Sequence, residues 1–183
     1  FMKKAPYPSQ PRAGFKESFT KFGTGSVAGV NYLIIVAFVV MIAVYIILNM
    51  TTLGKNIYAT GGNREAAKVA GINVFKIDMF VYILSGALAA LAGCMLAART
   101  GSANATYAEG YEMDAIASCI IGGASFTGGI GNVPGAFLGV IIFSVISYGL
   151  TFVGLSSYWQ NIAKGLIIIV AVALDMRKYG SDK

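Results

Sequence analysis

The sequence predicts an all-α, polytopic transmembrane protein with four clear spans plus one short or broken span. Three observations carry this expectation. Uncharged apolar runs close to the ~20 residues that a bilayer core demands recur along the chain. The composition is 56% hydrophobic and only 12% charged, far from the averages of soluble domains. The basic residues, which leave a net charge of +6, gather in clusters that flank the apolar runs and form no stripe suited to nucleic acid. A glycine count of 23 fits helices that pack closely or break inside a membrane.

The elements follow in order. Residues 1–29 are polar, basic and rich in turn formers (Pro6, Pro8, Pro11, Gly14, Gly23 and Gly25), and they read as loop or tail. They lack the apolar stretch of a cleavable signal peptide. The chain opens on Phe1, so Met2 can be a genuine start or a point inside something longer. Residues 30–176 read as the membrane region, with 51–78 as a polar loop inside it and 177–183 as a tail. The first span, 33–48, is framed by Asn31 and Asn49. The second, 79–98, carries two small-residue rows, Ser85/Ala89/Gly93 and Gly86/Ala90/Cys94, a spacing that lets a neighbouring helix approach.

Residues 99–114 are polar, with Arg99 against Glu109, Glu112 and Asp114. The next apolar stretch, 115–121, is short and is interrupted by Gly122-Gly123 and Gly128-Gly129-Ile130-Gly131. Such a break is tolerated at membrane depth only where protein or a watery cavity surrounds the backbone, and half-helices of this kind border transport pathways. Gly122, Gly123, Gly128 and Gly129 are therefore candidates for shaping or gating a path. Residues 133–155 form an uncharged span with a Gly135-x-x-x-Gly139 motif. The last span, 158–174, starts on Tyr158 and Trp159, which read as interfacial anchors.

Between the first two spans lies the polar island Gly61-Gly62-Asn63-Arg64-Glu65-Ala66-Ala67-Lys68-Val69-Ala70-Gly71. A short helix is written into it. Asn63 caps the start, Glu65 sits in the first turn where the dipole favours an anion, and Gly71 closes the end in a left-handed conformation. Ala66, Ala67, Val69 and Ala70 are left as a small-residue surface that another protein can approach. Taken from residues alone, an ordinary interhelical turn is the favoured reading of the island.

Charge sets an orientation. The 51–78 loop holds Lys55, Arg64, Lys68 and Lys76, and the tail holds Arg177, Lys178 and Lys183, so both are expected in the cytoplasm with the acidic 99–114 outside. That requires the 115–125 segment to cross or nearly cross. The basic residues Lys3, Lys4, Arg12, Lys16 and Lys21 conflict with it: either helices upstream of this sequence fix the orientation first, which is the favoured reading, or the assignment is inverted.

Lys164 is the one basic residue well inside a span, and two readings stand: a functional or paired charge, with Asp114 as its partner, or a side chain that snorkels to the outer interface. Cys94 and Cys119 read as small packing residues. There is no histidine, which removes the commonest metal ligand and general base. No cofactor, metal or catalytic residue is expected. No phosphate-binding loop is present either, since Gly54-Lys55 lacks the upstream glycine and the following Ser or Thr.

Three blocks, in this order and spacing, carry a resemblance. The first runs from Gly54-Lys55-Asn56-Ile57-Tyr58-Ala59-Thr60 through Gly61-Gly62-Asn63-Arg64-Glu65-Ala66-Ala67 to Gly71-Ile72-Asn73. The second runs from Gly110-Tyr111-Glu112-Met113-Asp114-Ala115 to Ile121-Gly122-Gly123-Ala124-Ser125 and Gly128-Gly129. The third holds Gly154-Leu155-Ser156-Ser157-Tyr158-Trp159-Gln160, Lys164-Gly165 and Ala171-Val172-Ala173-Leu174-Asp175. Residues 52–175 thus resemble the permease subunits of bacterial sugar ABC importers of the ribose/galactose/xylose type.

The resemblance implies a multi-pass subunit of the bacterial inner membrane. It implies pairing with a second permease copy, sugar delivered by a periplasmic binding protein, and drive from a cytoplasmic ABC ATPase. Family members extend further at the N-terminus, which implies a fragment or a truncated reading frame. Glu65-Ala66-Ala67-x-x-x-Gly71 looks like the start of the coupling motif of ABC permeases, although the later Ile-x-Leu-Pro part is absent. Gly62, Asn63, Glu65, Ala66, Ala67 and Gly71 are then expected to couple to the ATPase, with Lys164 and the four glycines near the path. Two rivals predict otherwise: a membrane-embedded enzyme using Glu112, Asp114 and Lys164, and a truncated scaffold that carries no flux.

Overall fold

The computed structural model describes residues 12–179 except Ala28 and Ala105, so residues 1–11 of the expected N-terminal tail and 180–183 of the C-terminal tail lie outside the described residues. Among the described residues the chain is mostly helical. In order it runs β1 (Arg12–Ala13), α1 (Glu17–Thr24), β2 (Ser26–Val27), β3 (Val30–Asn31), α2 (Tyr32–Met50), α3 (Thr52–Gly62) and α4 (Arg64–Val69). Then come α5 (Val74–Thr100), β4 (Ser102–Ala103), α6 (Tyr111–Ile121), α7 (Val133–Phe152) and α8 (Ser157–Tyr179).

Among the described residues α2, α5 and α7 are long and apolar enough to cross a membrane, and α8 is apolar over Ser157–Ala173. The broken segment is α6. Its 11 residues reach about 16 Å at 1.5 Å per residue, roughly half of a ~30 Å hydrocarbon core. Few side chains are buried: α2 has none, and Ile42, Val39 and Phe152 are among many large apolar residues left open. An apolar surface of this extent suits lipid and other helices, not water.

The described chain forms two compact units. One comprises residues 12–44 and 78–109. Here the structure departs from the expected tail. α1 lies with Gly23 so close to the Ala98 carbonyl that a Cβ would collide with it, and Ala98 is fully buried. The rings of Phe22 and Tyr32 stack at 6.1 Å between centroids, β2 and β3 form a small hairpin, and β1 pairs antiparallel with β4. The reason is local: Phe15 and Phe19 meet at helical spacing, Glu17 and Lys21 face each other at 3.7 Å, and Gly25 ends the turn. The small-residue rows of α5 stay uncovered, and no atom lies within 4 Å of a Cβ added at Gly86 or Gly93. Cys94 and Cys119 are both exposed, so neither packs inside this chain as expected.

The second unit comprises residues 45–77 and 110–179. The 51–78 stretch is no plain loop, for α3 precedes the island helix. Thr51 starts α3 by accepting the Gly54 N–H at 3.3 Å, and Gly54 is there because a Cβ would run into the Leu48 backbone. α6 and α7 are joined by the glycine-rich turn and pack antiparallel, backbone on backbone. A Cβ on Gly139 would collide with the Ser118 carbonyl and lie 2.7 Å from the Gly122 nitrogen. One on Gly135 would strike the Gly122 carbonyl, and one on Gly122 would lie 2.6 Å from Ala136 Cα. The Gly-x-x-x-Gly spacing thus serves the half-helix beside it.

Gly139→Val should force α6 off α7 and cost about 1–3 kcal/mol or more. The measurement is the thermal midpoint in detergent, expected to fall by several degrees against Gly149→Val, where a Cβ meets nothing within 4 Å.

Candidate functional site

The island folds as its sequence dictates. Asn63 sits in extended backbone (φ −151, ψ 106) and its Oδ1 accepts the Ala66 N–H at 3.0 Å, which satisfies one of the orphan donors of α4. Glu65 occupies the first turn, and the Lys68 ammonium donates to it at 2.7 Å. The Lys68 hydrogen bond, then its charge, hold the Glu65 carboxyl below the usual carboxylate range. Gly71 (φ 83) closes the helix: its N–H reaches the Lys68 carbonyl at 3.0 Å, while the Ile72 N–H reaches that of Ala67, also at 3.0 Å. The exposed face is Glu65, Ala66, Val69 (90% open) and Ala70. Ala67 is a correction to the expected surface: it is 3% exposed and packs inward, because a six-residue helix has one side against its own chain.

The structure brings the island against the glycine-rich turn, which sequence reasoning kept apart. A Cβ at Gly61 would lie 2.8 Å from the Gly129 nitrogen; one at Gly128 would lie 2.5 Å from the Gly61 oxygen. At Gly129 it would lie 2.6 Å from Gly62 Cα. Gly128 (φ 89) and Gly129 (φ 74) also adopt left-handed backbone, so the turn needs glycine for shape and for approach. The Tyr58 hydroxyl of α3 donates to the Gly131 carbonyl at 3.1 Å, fastening the same two segments. Gly122 and Gly123 lie at the other end of the turn, where the Gly123 N–H reaches Ile120 and the Ala124 N–H reaches Cys119 to end α6.

At the far end of α6 Lys164 meets the partner named for it in the sequence. Its ammonium contacts both Asp114 carboxylate oxygens, at 2.8 and 2.9 Å, as the paired reading expects. It also stands 5.7 Å from the centre of the Phe143 ring, a cation–π distance. Phe143 is near the midpoint of α7, so the pair sits deep between the ends of that helix. Glu112, the third member of the rival enzyme site, is exposed.

Tyr58 and Phe143 are the residues that sequence reasoning missed. Tyr58 stands inside the first resemblance block, a signal that could have drawn attention to it. Nothing in the sequence marks Phe143 among the apolar residues of α7.

The fold and these two junctions define a multi-pass helical membrane protein built around a half-helix. The chain belongs to the family described as branched-chain amino acid transport system / permease component, whose sequence profile matches residues 3–172. It is 48% identical over 179 residues to the galactose/methyl galactoside import permease protein MglC of Escherichia coli K12, covering 96% of this chain and 53% of that one. It is 42% identical over 173 residues to the ribose import permease protein RbsC of the same organism (93% and 54%). To RbsC of Bacillus subtilis it is 39% identical over 165 residues (90% and 51%). The chain spans about half the length of these curated relatives. No solved structure matches it.

Asn63→Ala should remove the cap and cost α4 about 1 kcal/mol, seen as faster amide exchange over residues 64–68 with exchange in α7 unchanged. Because the folded Glu65 carboxyl titrates below its unfolded value, its pairing with Lys68 stabilises α4 at neutral pH and is lost as pH falls through that depressed value. Glu65→Gln should abolish this pH dependence in the same exchange measurement.

Proposed function

We propose that the chain forms part of the transmembrane permease subunit of an ATP-driven monosaccharide importer of the bacterial inner membrane. The sugar moves by alternating access. The cargo is read as a monosaccharide such as galactose or ribose, not a branched-chain amino acid, because the relatives at 39–48% identity bear sugar-permease names. A periplasmic binding protein delivers the sugar, a second permease copy completes the channel, and an ATPase subunit supplies the hydrolysis.

One observation carries the mechanical reading: the Gly61-Gly62 backbone rests on Gly128-Gly129 while Tyr58 holds Gly131. In this reading α4 enters a cleft of the ATPase through Glu65, Ala66, Val69 and Ala70. Gly62, Asn63, Ala67 and Gly71 hold its shape. A push on α4 passes through the glycine contact to the turn holding Gly122, Gly123, Gly128 and Gly129, and so to α6. Closure of the ATPase then biases one membrane state over the other by differential contacts. The basic residues Lys55, Arg64 and Lys68 support a cytoplasmic position for this end.

The test is capture of the ATPase subunit of the importer by the complete permease, with Ala66→Trp and Glu65→Lys beside the wild type. Both variants should insert normally, lose capture, and lower sugar uptake by roughly ten-fold or more. Normal capture and uptake in Ala66→Trp would refute the docking assignment.

A further inference from the structure

We propose that Asp114 and Lys164 form a contact site for the hydroxyl groups of a monosaccharide partway along its route through the membrane. This rests on the importer reading above. The first support is position. α6 is long enough for only about half a crossing, and Asp114 in its first turn meets Lys164 beside Phe143, near the middle of the apolar helix α7. Breaks at that depth occur where backbone faces protein or a watery cavity.

The second support is openness. The Lys164 and Asp114 side chains are 21% and 29% exposed. Charge turned toward lipid is expensive, so the open side of this pair faces a path or another part of the assembly.

The third support is chemistry. The pair is neutral as a whole, so it gives a charged ligand no net attraction and offers a neutral one hydrogen bonds. The ammonium has three donors and the carboxylate about four acceptor positions, and their mutual contact leaves both with spare capacity. An acceptor and a donor side by side match adjacent sugar hydroxyls, each of which both donates and accepts. Phe143, only 4% exposed, positions Lys164 from behind and does not contact sugar. One turn along α7 from Phe143, the buried Ser147 hydroxyl has no hydrogen-bond partner among the described residues.

The experiment uses the complete permease assembled with its ATPase and binding protein. Asp114→Glu and Lys164→Arg keep both charges but change reach and shape. The exchange Asp114→Lys with Lys164→Asp keeps the ion pair and reverses it. Uptake is measured at saturating galactose and at saturating concentrations of each monodeoxygalactose, with membrane level and ATPase capture recorded for every variant. The variants should insert and capture the ATPase, yet shift the rate ratio between galactose and at least one deoxy analogue by roughly ten-fold, the scale of one charged hydrogen bond.

Equal loss for every sugar, full recovery by the exchange, or failure of all three variants to insert would overturn the proposal and leave a purely structural clip. If the wild type carries none of these sugars, the importer reading itself falls, and this inference with it.

Discussion

A half-helix in a bilayer is a problem of unsatisfied backbone. Each polar group left facing hydrocarbon costs several kcal/mol, so α6 must be held by neighbours on all its exposed ends. Local bonds close both ends, with the Met113 and Asp114 N–H groups on the Gly110 carbonyl and the Gly123 and Ala124 N–H groups on those of Ile120 and Cys119, while Gly122 on Gly135 and Ser118 on Gly139 cover its side with protein. That backbone contact brings α6 and α7 together without intervening side chains. With α6 fixed there, its two ends are placed: one at the glycine-rich turn near an end of α7, the other beside the middle of α7.

Each end of α6 then meets a specific partner. At the turn, Gly61 and Gly62 lie on Gly128 and Gly129 with Tyr58 reaching Gly131. At the other end, Asp114 requires a counter-charge and finds it in Lys164. An unpaired carboxylate held among the helices would cost more than a surface salt bridge could offset. The short helix thus joins the polar α3–α4 segment to an ion pair beside the middle of α7. Packed interfaces of this kind shift between discrete arrangements and deform little between them.

Much of the site was legible because its determinants are local. The Asn63 cap spans three residues, the Glu65–Lys68 pair spans three, and Gly71 closes a turn it touches directly. The break after α6 was legible from the glycines themselves, and the spans from their apolar length. α1 was not legible, because its turn-rich surroundings outweigh a short aromatic pattern, and its docking on Ala98 is a long-range contact. α3 escaped for a similar reason: its glycines read as loop until Leu48 and Gly129 are seen to require them.

Periodicity, capping and charge therefore specified the membrane class, the island helix and the interrupted span, since each acts within a few residues along the chain. Folding in three dimensions decided that Ala67 faces inward, that the island touches the glycine-rich turn, and that Lys164 answers Asp114. The Tyr58–Gly131 bond joins residues 73 positions apart and the ion pair residues 50 apart. No local pattern encodes such separations; they follow from which helix faces can approach, and here the glycines set that approach.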